Sequence, residues 1–228
     1  SIHEIIGKER LNNAAEDVFY MNDNEEQKEK GNSSLLYLSE FFQKQLIDNN
    51  GKDDNDLISL ITSEPDKGLS LLGFTVQLFV STSTSLPLLM GNTFYALFEF
   101  KEQRESYLKD PISCINEILR YAGPSDFITR THIETGSEVV LNLKKANWDE
   151  SIFDCPHHLD FNKKRFLNLS LGAGNFSCLG ASLIREVLTA VPKMFFDEYP
   201  NSEFYTDSIK QTGCSAISGV NINKIKII

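Results

Sequence analysis

A chain of 228 residues, 41% of them hydrophobic, is long enough to bury a sizeable core in one domain, with room for a subdomain. Its formal net charge of −10 argues against nucleic acid as a partner. The four cysteines, Cys114, Cys155, Cys178 and Cys214, form no Cys-x-x-Cys pair and no zinc spacing, so a reducing, cytoplasmic setting is expected rather than a disulfide scaffold. No signal peptide or repeat is visible. The first residue is Ser, as expected of a processed or trimmed chain or of a piece of a longer one.

In chain order, Ile2-His-Glu-Ile-Ile-Gly7 reads as a helix end. Residues 22–32 are polar and charged, which predicts a loop or frayed linker. Residues 1–33 are therefore expected to be a partly polar N-terminal helix and linker, and residues 34–228 the folded domain. Residues 35–47 carry Leu35, Leu36, Leu38, Phe41, Phe42 and Leu46 at helical spacing. Asp48-Asn49-Asn50-Gly51 through Asp54 is a loop by composition. Asp54 or Asn55 is a candidate cap for a helix from Asp56, and Glu64-Pro65-Asp66-Lys67-Gly68 reads as a second turn. Residues 68–98 carry no formal charge and are long enough to cross a bilayer. The polar belt Ser81-Thr-Ser-Thr-Ser85 and the ladder break at Pro87 predict a kinked core helix instead, with no membrane span. The hydroxyls of Thr82 and Ser83 are expected to bond back to carbonyls one turn earlier.

Asp110-Pro111 reads as an N-cap followed by proline at the first helical position. Glu117 and Arg120 then share a face of that helix. Most pairs at this spacing are solvated and worth a few tenths of a kcal/mol. A small antiparallel β part is expected from about residue 127 to residue 143 and again in the tail, Ala216-Ile-Ser-Gly219-Val220 onward to Ile228. The fold class is thus mainly α with a small antiparallel β part. His157 and His158 are adjacent and point apart on regular structure, so no joint metal site is expected. Lys163-Lys164-Arg165 reads as a solvated charge run or a seat for an acidic partner.

The richest chemistry lies in Leu169-Ser-Leu-Gly-Ala-Gly-Asn-Phe-Ser-Cys178-Leu-Gly180, followed at once by a helical pattern over residues 181–196. A cysteine just ahead of a helix meets free backbone N–H groups and the positive end of the dipole, a setting that favours thiolate. Gly172 and Gly174 permit sharp turns close to a flat ligand, and Gly180 permits close approach of the helix. An axial thiolate ligand to haem iron needs this arrangement. The plain alternative is a buried structural cysteine at a helix start.

These residues resemble the haem-binding loop of the cytochromes P-450, especially the soluble bacterial type, which reads Phe-x-x-Gly-x-x-x-Cys-x-Gly. Gly174, Cys178 and Gly180 match, as does the extra Gly172. Leu171 stands where the family has Phe, and Phe176 stands where a His or Arg usually meets a haem propionate. The pair Glu117 and Arg120 resembles the family's Glu-x-x-Arg helix. Ala146-Asn147-Trp-Asp149 through Phe153, Pro156, Leu159-Asp160 and Arg165 resembles the meander before the loop. The third member of the family's Glu/Arg/Arg cluster falls on His158, which would pair with Glu117 more weakly than a guanidinium fork. Arg130 falls where the family often holds a propionate; the other reading is an ordinary strand-edge arginine. Residues 78–97 resemble the central helix over the oxygen face, with Ser85 at the alcohol position, Thr84 at the acid position and Thr82 at the glycine.

The resemblance implies haem b (iron protoporphyrin IX) on Cys178. It implies Arg130, Gly172, Gly174, Phe176 and Gly180 around the cofactor, and Glu117, Arg120 and His158 as structural supports. Ser85 and Thr84 would be the catalytic pair that organises water for proton delivery, with the family's acid missing. The implied activity is monooxygenation of a small organic substrate, with electrons from a separate ferredoxin or flavoprotein. It covers only the later part of a family member, so an N-terminal portion the size of an ordinary domain, about 150 residues, has no counterpart here. Most of a β-hairpin after Arg130 is also absent. The alternative is a truncated, degenerate homologue without turnover that acts as a binding or scaffold module.

Overall fold

In the computed structural model, residues 2–49, 57–63, 70–163, 165, 167–205, 207, 209–214, 217–222 and 224–227 are described. The predicted loop at residues 50–54, the cap at Asp54 or Asn55, the turn at residues 64–68, and Lys164, Ala216 and Ile228 lie outside them. The chain forms two compact units, residues 1–87 and 88–228.

In the first unit, α1 (Ile2–Phe19) and α2 (Glu25–Asp48) form an antiparallel hairpin around Ala14, Ala15, Leu38 and Phe42, joined by Val76 and Val80. The expected linker at residues 22–32 is corrected here: α2 begins at Glu25 and runs through the expected boundary at residue 33. Three local effects outweigh the polar composition. The Asn24 side chain accepts the Gln27 N–H at 2.9 Å, Glu25 and Glu26 sit at the positive end of the dipole, and Lys30 reaches Asp17 on α1 at 2.6 Å. A short α3 (Leu57–Ser63) follows.

The uncharged stretch forms α4 (Leu71–Glu99), with Pro87 inside it and the division between the units at Pro87. By length and composition α4 is apolar enough to cross a bilayer, yet its buried residues belong to both hydrophobic cores. Thr82 bonds back to the Leu78 carbonyl at 2.8 Å as expected, and Thr84, read as a water holder at the acid position, does the same to the Val80 carbonyl at 2.6 Å.

The second unit is built on α5 (Lys101–Lys109), α6 (Pro111–Ala122) and α8 (Ala181–Glu198), with the short α7 (Leu143–Asn147) between. Asp110 ends α5 and caps α6, accepting the Ser113 N–H at 3.3 Å ahead of Pro111. The core is Leu89, Leu97, Phe98, Tyr107, Ile115, Ile118, Leu119, Leu188 and Phe196. Pro192 lies within α8 and has no N–H for the Leu188 carbonyl. The Tyr107 hydroxyl takes that carbonyl at 2.5 Å. The β part consists of three antiparallel pairs: β1 (Phe127–Thr131) with β2 (Glu138–Asn142), β3 (Glu203–Phe204) with β6 (Ile225–Lys226), and β4 (Ile209–Cys214) with β5 (Ile217–Ile222). The Asn92 amide ties α4 to the Ala122 carbonyl at 3.0 Å and to the Ser218 carbonyl at 3.2 Å.

Candidate functional site

Cys178 lies exposed at the end of a tight loop, two residues before Gly180, which caps α8. The loop is closed by the Cys178 N–H on the Leu171 carbonyl at 2.7 Å and by a 3₁₀ turn, Gly174–Phe176. Gly172 has φ 70° and Gly174 φ 59°, the left-handed region that glycine enters freely. A Cβ on Gly172 would also run into the Phe176 carbonyl. The alternative of a buried cysteine does not hold. Around the thiol, Phe176 is 68% exposed, Leu179 84% and Leu183 55%, an apolar surface flanking an exposed nucleophile. Arg130, half-buried on β1, holds its guanidinium 4.8 Å from the Phe176 ring centre and donates to the Thr129 carbonyl at 2.8 Å. The hairpin thus brings Arg130 against Phe176 of the cysteine loop.

Glu117 and Arg120 are not a solvated pair. Arg120 Nε and Nη2 donate to the two Glu117 oxygens at 2.7 and 2.8 Å, with both residues almost fully buried. The remaining Arg120 donors reach the carbonyls of Asn147 at 3.0 Å, Pro156 at 2.7 Å and His158 at 3.3 Å. A buried ion pair persists when its spare donors are satisfied, and here they end on meander carbonyls.

The assignment of the third position to His158 is corrected. Its ring is exposed, lies edge-on to Phe100 at 4.8 Å and faces Glu102 at 4.0 Å; only its backbone carbonyl serves the cluster. Arg165 takes the place instead. Its Nη1 donates to Glu117 Oε1 at 2.6 Å and its Nη2 to the Asp154 carbonyl, with a side chain only 7% exposed. A guanidinium satisfies the carboxylate with a fixed fork of donors that an imidazole does not have. Arg165 is therefore not part of a solvated charge run, and Lys163 is paired with Asp154 at 2.6 Å.

Two further residues, to which the sequence reading gave no role, join this cluster to the loop. The buried Asn147 accepts the Leu169 N–H at 2.8 Å and donates to Ser170 Oγ at 2.9 Å. Ser170 in turn donates to the Leu119 carbonyl at 2.6 Å. The only sequence signal was the place of Asn147 in the run Ala146-Asn147-Trp-Asp149. Thr84 and Ser85 belong to the first unit: Thr84 is buried with its hydroxyl proton on Val80, and Ser85 is half-buried. Cys114 is buried in the core, and burial pushes its thiol up to about 11, so it is no rival nucleophile.

Among the described residues no group of three His, Cys, Asp or Glu side chains can hold a metal ion. One exposed thiol on a glycine loop suits a metal that brings its own four in-plane donors, and the bare apolar surface beside it suits a flat macrocycle. The residues present thus fit haem. This is the donor set that a haem-thiolate protein would use.

No family model matches the chain. It is 26% identical over 208 residues to the putative cytochrome P450 YjiB of Bacillus subtilis, covering 83% of this chain and 52% of that protein. It is 26% identical over 198 residues to the polyketide biosynthesis cytochrome P450 PksS of Bacillus subtilis, covering 77% of this chain and 48% of that one. The solved structure of P450BioI in complex with an acyl carrier protein ligated to hexadec-9Z-enoic acid superposes with a TM-score of 0.84 at 20% identity, over 96% of this chain and 62% of that one. These likenesses support membership of the cytochrome P450 family, whose cofactor is haem. It spans about half the length of these two curated relatives.

Proposed function

We propose that this chain is the haem-thiolate portion of a cytochrome P450 monooxygenase that inserts oxygen into a small organic substrate, in a cytoplasmic setting. The observation that carries this is the exposed Cys178 thiol on a left-handed glycine loop at the start of α8. Haem, when bound, supplies the redox and oxygen chemistry. Cys178 would hold the iron, Arg130 a propionate, and Phe176 would keep that guanidinium in place through its ring face. Because Thr84 spends its proton on Val80, its oxygen can only accept from water, which leaves Ser85 as the donor of the pair. Among the described residues no glycine-rich nucleotide motif stands ready to receive electrons. A separate ferredoxin or flavoprotein would supply them.

The test is a titration of the purified chain with haem, followed by the ferric spectrum and the spectrum of the reduced carbon monoxide adduct. A red-shifted thiolate-type Soret band that Cys178→Ala removes is expected. A well-folded sample that takes up no haem would overturn the reading for this chain by itself and favour the scaffold alternative.

A further inference from the structure

We infer that Asn147 is a positioning residue for Cys178, the side chain through which the buried Glu117–Arg120 pair sets the shape of the cysteine loop. Its backbone and its side chain face opposite ways in the same network. The Asn147 carbonyl accepts from Arg120 at 3.0 Å, and its carboxamide grips Leu169 and Ser170, the residues that enter the loop.

The direction of every proton in the relay is fixed. Ser170 gives its hydroxyl proton to the Leu119 carbonyl, so its oxygen is left to accept, and it accepts from Asn147 Nδ2. Asn147 Oδ1 must at the same time accept from the Leu169 N–H. One acceptor and one donor on a short planar group is the chemistry of a carboxamide. Aspartate could take the Leu169 N–H and could not donate to Ser170. Gln would carry the same groups one methylene too far. Ser170 Oγ sits in the space that a Cβ on Gly123 would fill, so the loop entry meets the end of α6 at close range. Beyond Ser170 the loop has its own closure, from the Gly172 N–H to the Leu169 carbonyl at 3.0 Å and from the Cys178 N–H to the Leu171 carbonyl at 2.7 Å. A loosened Leu169–Ser170 therefore moves the acceptor on which the Cys178 amide rests.

The test is residue-resolved amide hydrogen exchange on the full chain, comparing wild type with Asn147→Ala, Asn147→Asp and Ser170→Ala. In Asn147→Ala, the Leu169 and Cys178 amides should exchange roughly tenfold faster, the loss of about one buried hydrogen bond. The His158 amide, held by the Cys155 carbonyl, should keep its rate. Asn147→Asp should protect Leu169 and still release Cys178. An unchanged Cys178 amide in Asn147→Ala would overturn the proposal. So would equal acceleration throughout α6 and α8, which marks general destabilisation. A second arm rests on the haem-thiolate reading: in haem-loaded Asn147→Ala, the reduced carbon monoxide spectrum should lose part of its thiolate-type band to a non-thiolate form. If wild type itself takes up no haem, that reading fails while the exchange arm still decides the role of Asn147.

Discussion

The buried carboxylate of Glu117 allows a graded prediction, because its partners differ in what they leave behind when removed. Arg120→Ala deletes both bonds to Glu117, orphans the carbonyls of Asn147 and Pro156, and leaves the His158 carbonyl to Arg165 alone. Breaking a buried pair in this way costs about 3–5 kcal/mol. Arg165→Ala leaves Glu117 still neutralised by Arg120 and removes one short charge-assisted bond to it, along with bonds to the exposed Asp154 and His158 carbonyls, so about 1.5–3 kcal/mol is expected. His158→Ala keeps the backbone carbonyl that serves both arginines and loses only a solvent-exposed edge contact to Phe100, below about 1 kcal/mol. The double variant His158→Ala/Arg165→Ala should be additive, because the His158 ring does not touch Glu117. Urea unfolding followed by far-ultraviolet circular dichroism, with equal slopes required before midpoints are compared, measures all four. A His158→Ala loss equal to that of Arg165→Ala, or a strong coupling between them, would refute the assignment of the third position to Arg165.

Tyr107→Phe should cost about 1–3 kcal/mol by stranding the Leu188 carbonyl, and much less in a Pro192→Ala background, where a restored N–H takes that carbonyl; the same urea titrations read both. At pH 8, iodoacetamide with peptide mapping should modify Cys155 and Cys178 and spare Cys114 until the chain unfolds. The raised Cys114 thiol also has a sign. Between its ordinary value of 9.0 and about 11 the native state keeps a proton that the unfolded state has lost, so stability falls as pH rises through that window, and Cys114→Ala should flatten the slope. Gly172→Ala should abolish thiolate-type haem binding with little change in helicity, since it strains a φ of 70° and drives a methyl into the Phe176 carbonyl.

What the sequence made legible follows from range. Effects confined to a few residues were readable: the Asp110-Pro111 start of α6, the β-hairpin, the helix after Cys178, and the back-bonding of Thr82. Glycines at 172 and 174 announced the left-handed backbone that the loop adopts. The charged start of α2 was misread because composition signals solvation, whereas Asn24 and the acidic first turn act through geometry. Arg165 reads in the sequence as one of three adjacent cations and not as a partner of Glu117. Its partner lies 48 residues away, and no local pattern separates an arginine that returns to a buried carboxylate from one in a charge run. Asn147 was hidden for the same reason. Carboxamides are common on surfaces, and only the meeting of α6, α7 and the loop entry shows that both ends of this one are engaged.

The bond from Asn92 to the Ser218 carbonyl spans 126 residues of chain. On the ribosome, α4 therefore emerges long before its second acceptor exists. Glu117 likewise waits for Arg165, and Arg120 for the carbonyls of Pro156 and His158. Loop closure on this scale is slow, and a helix whose buried Glu117–Arg120 pair still lacks Arg165 and the meander carbonyls gains little by docking early. The second unit thus cannot complete this network until the meander and the closing strands have been delivered.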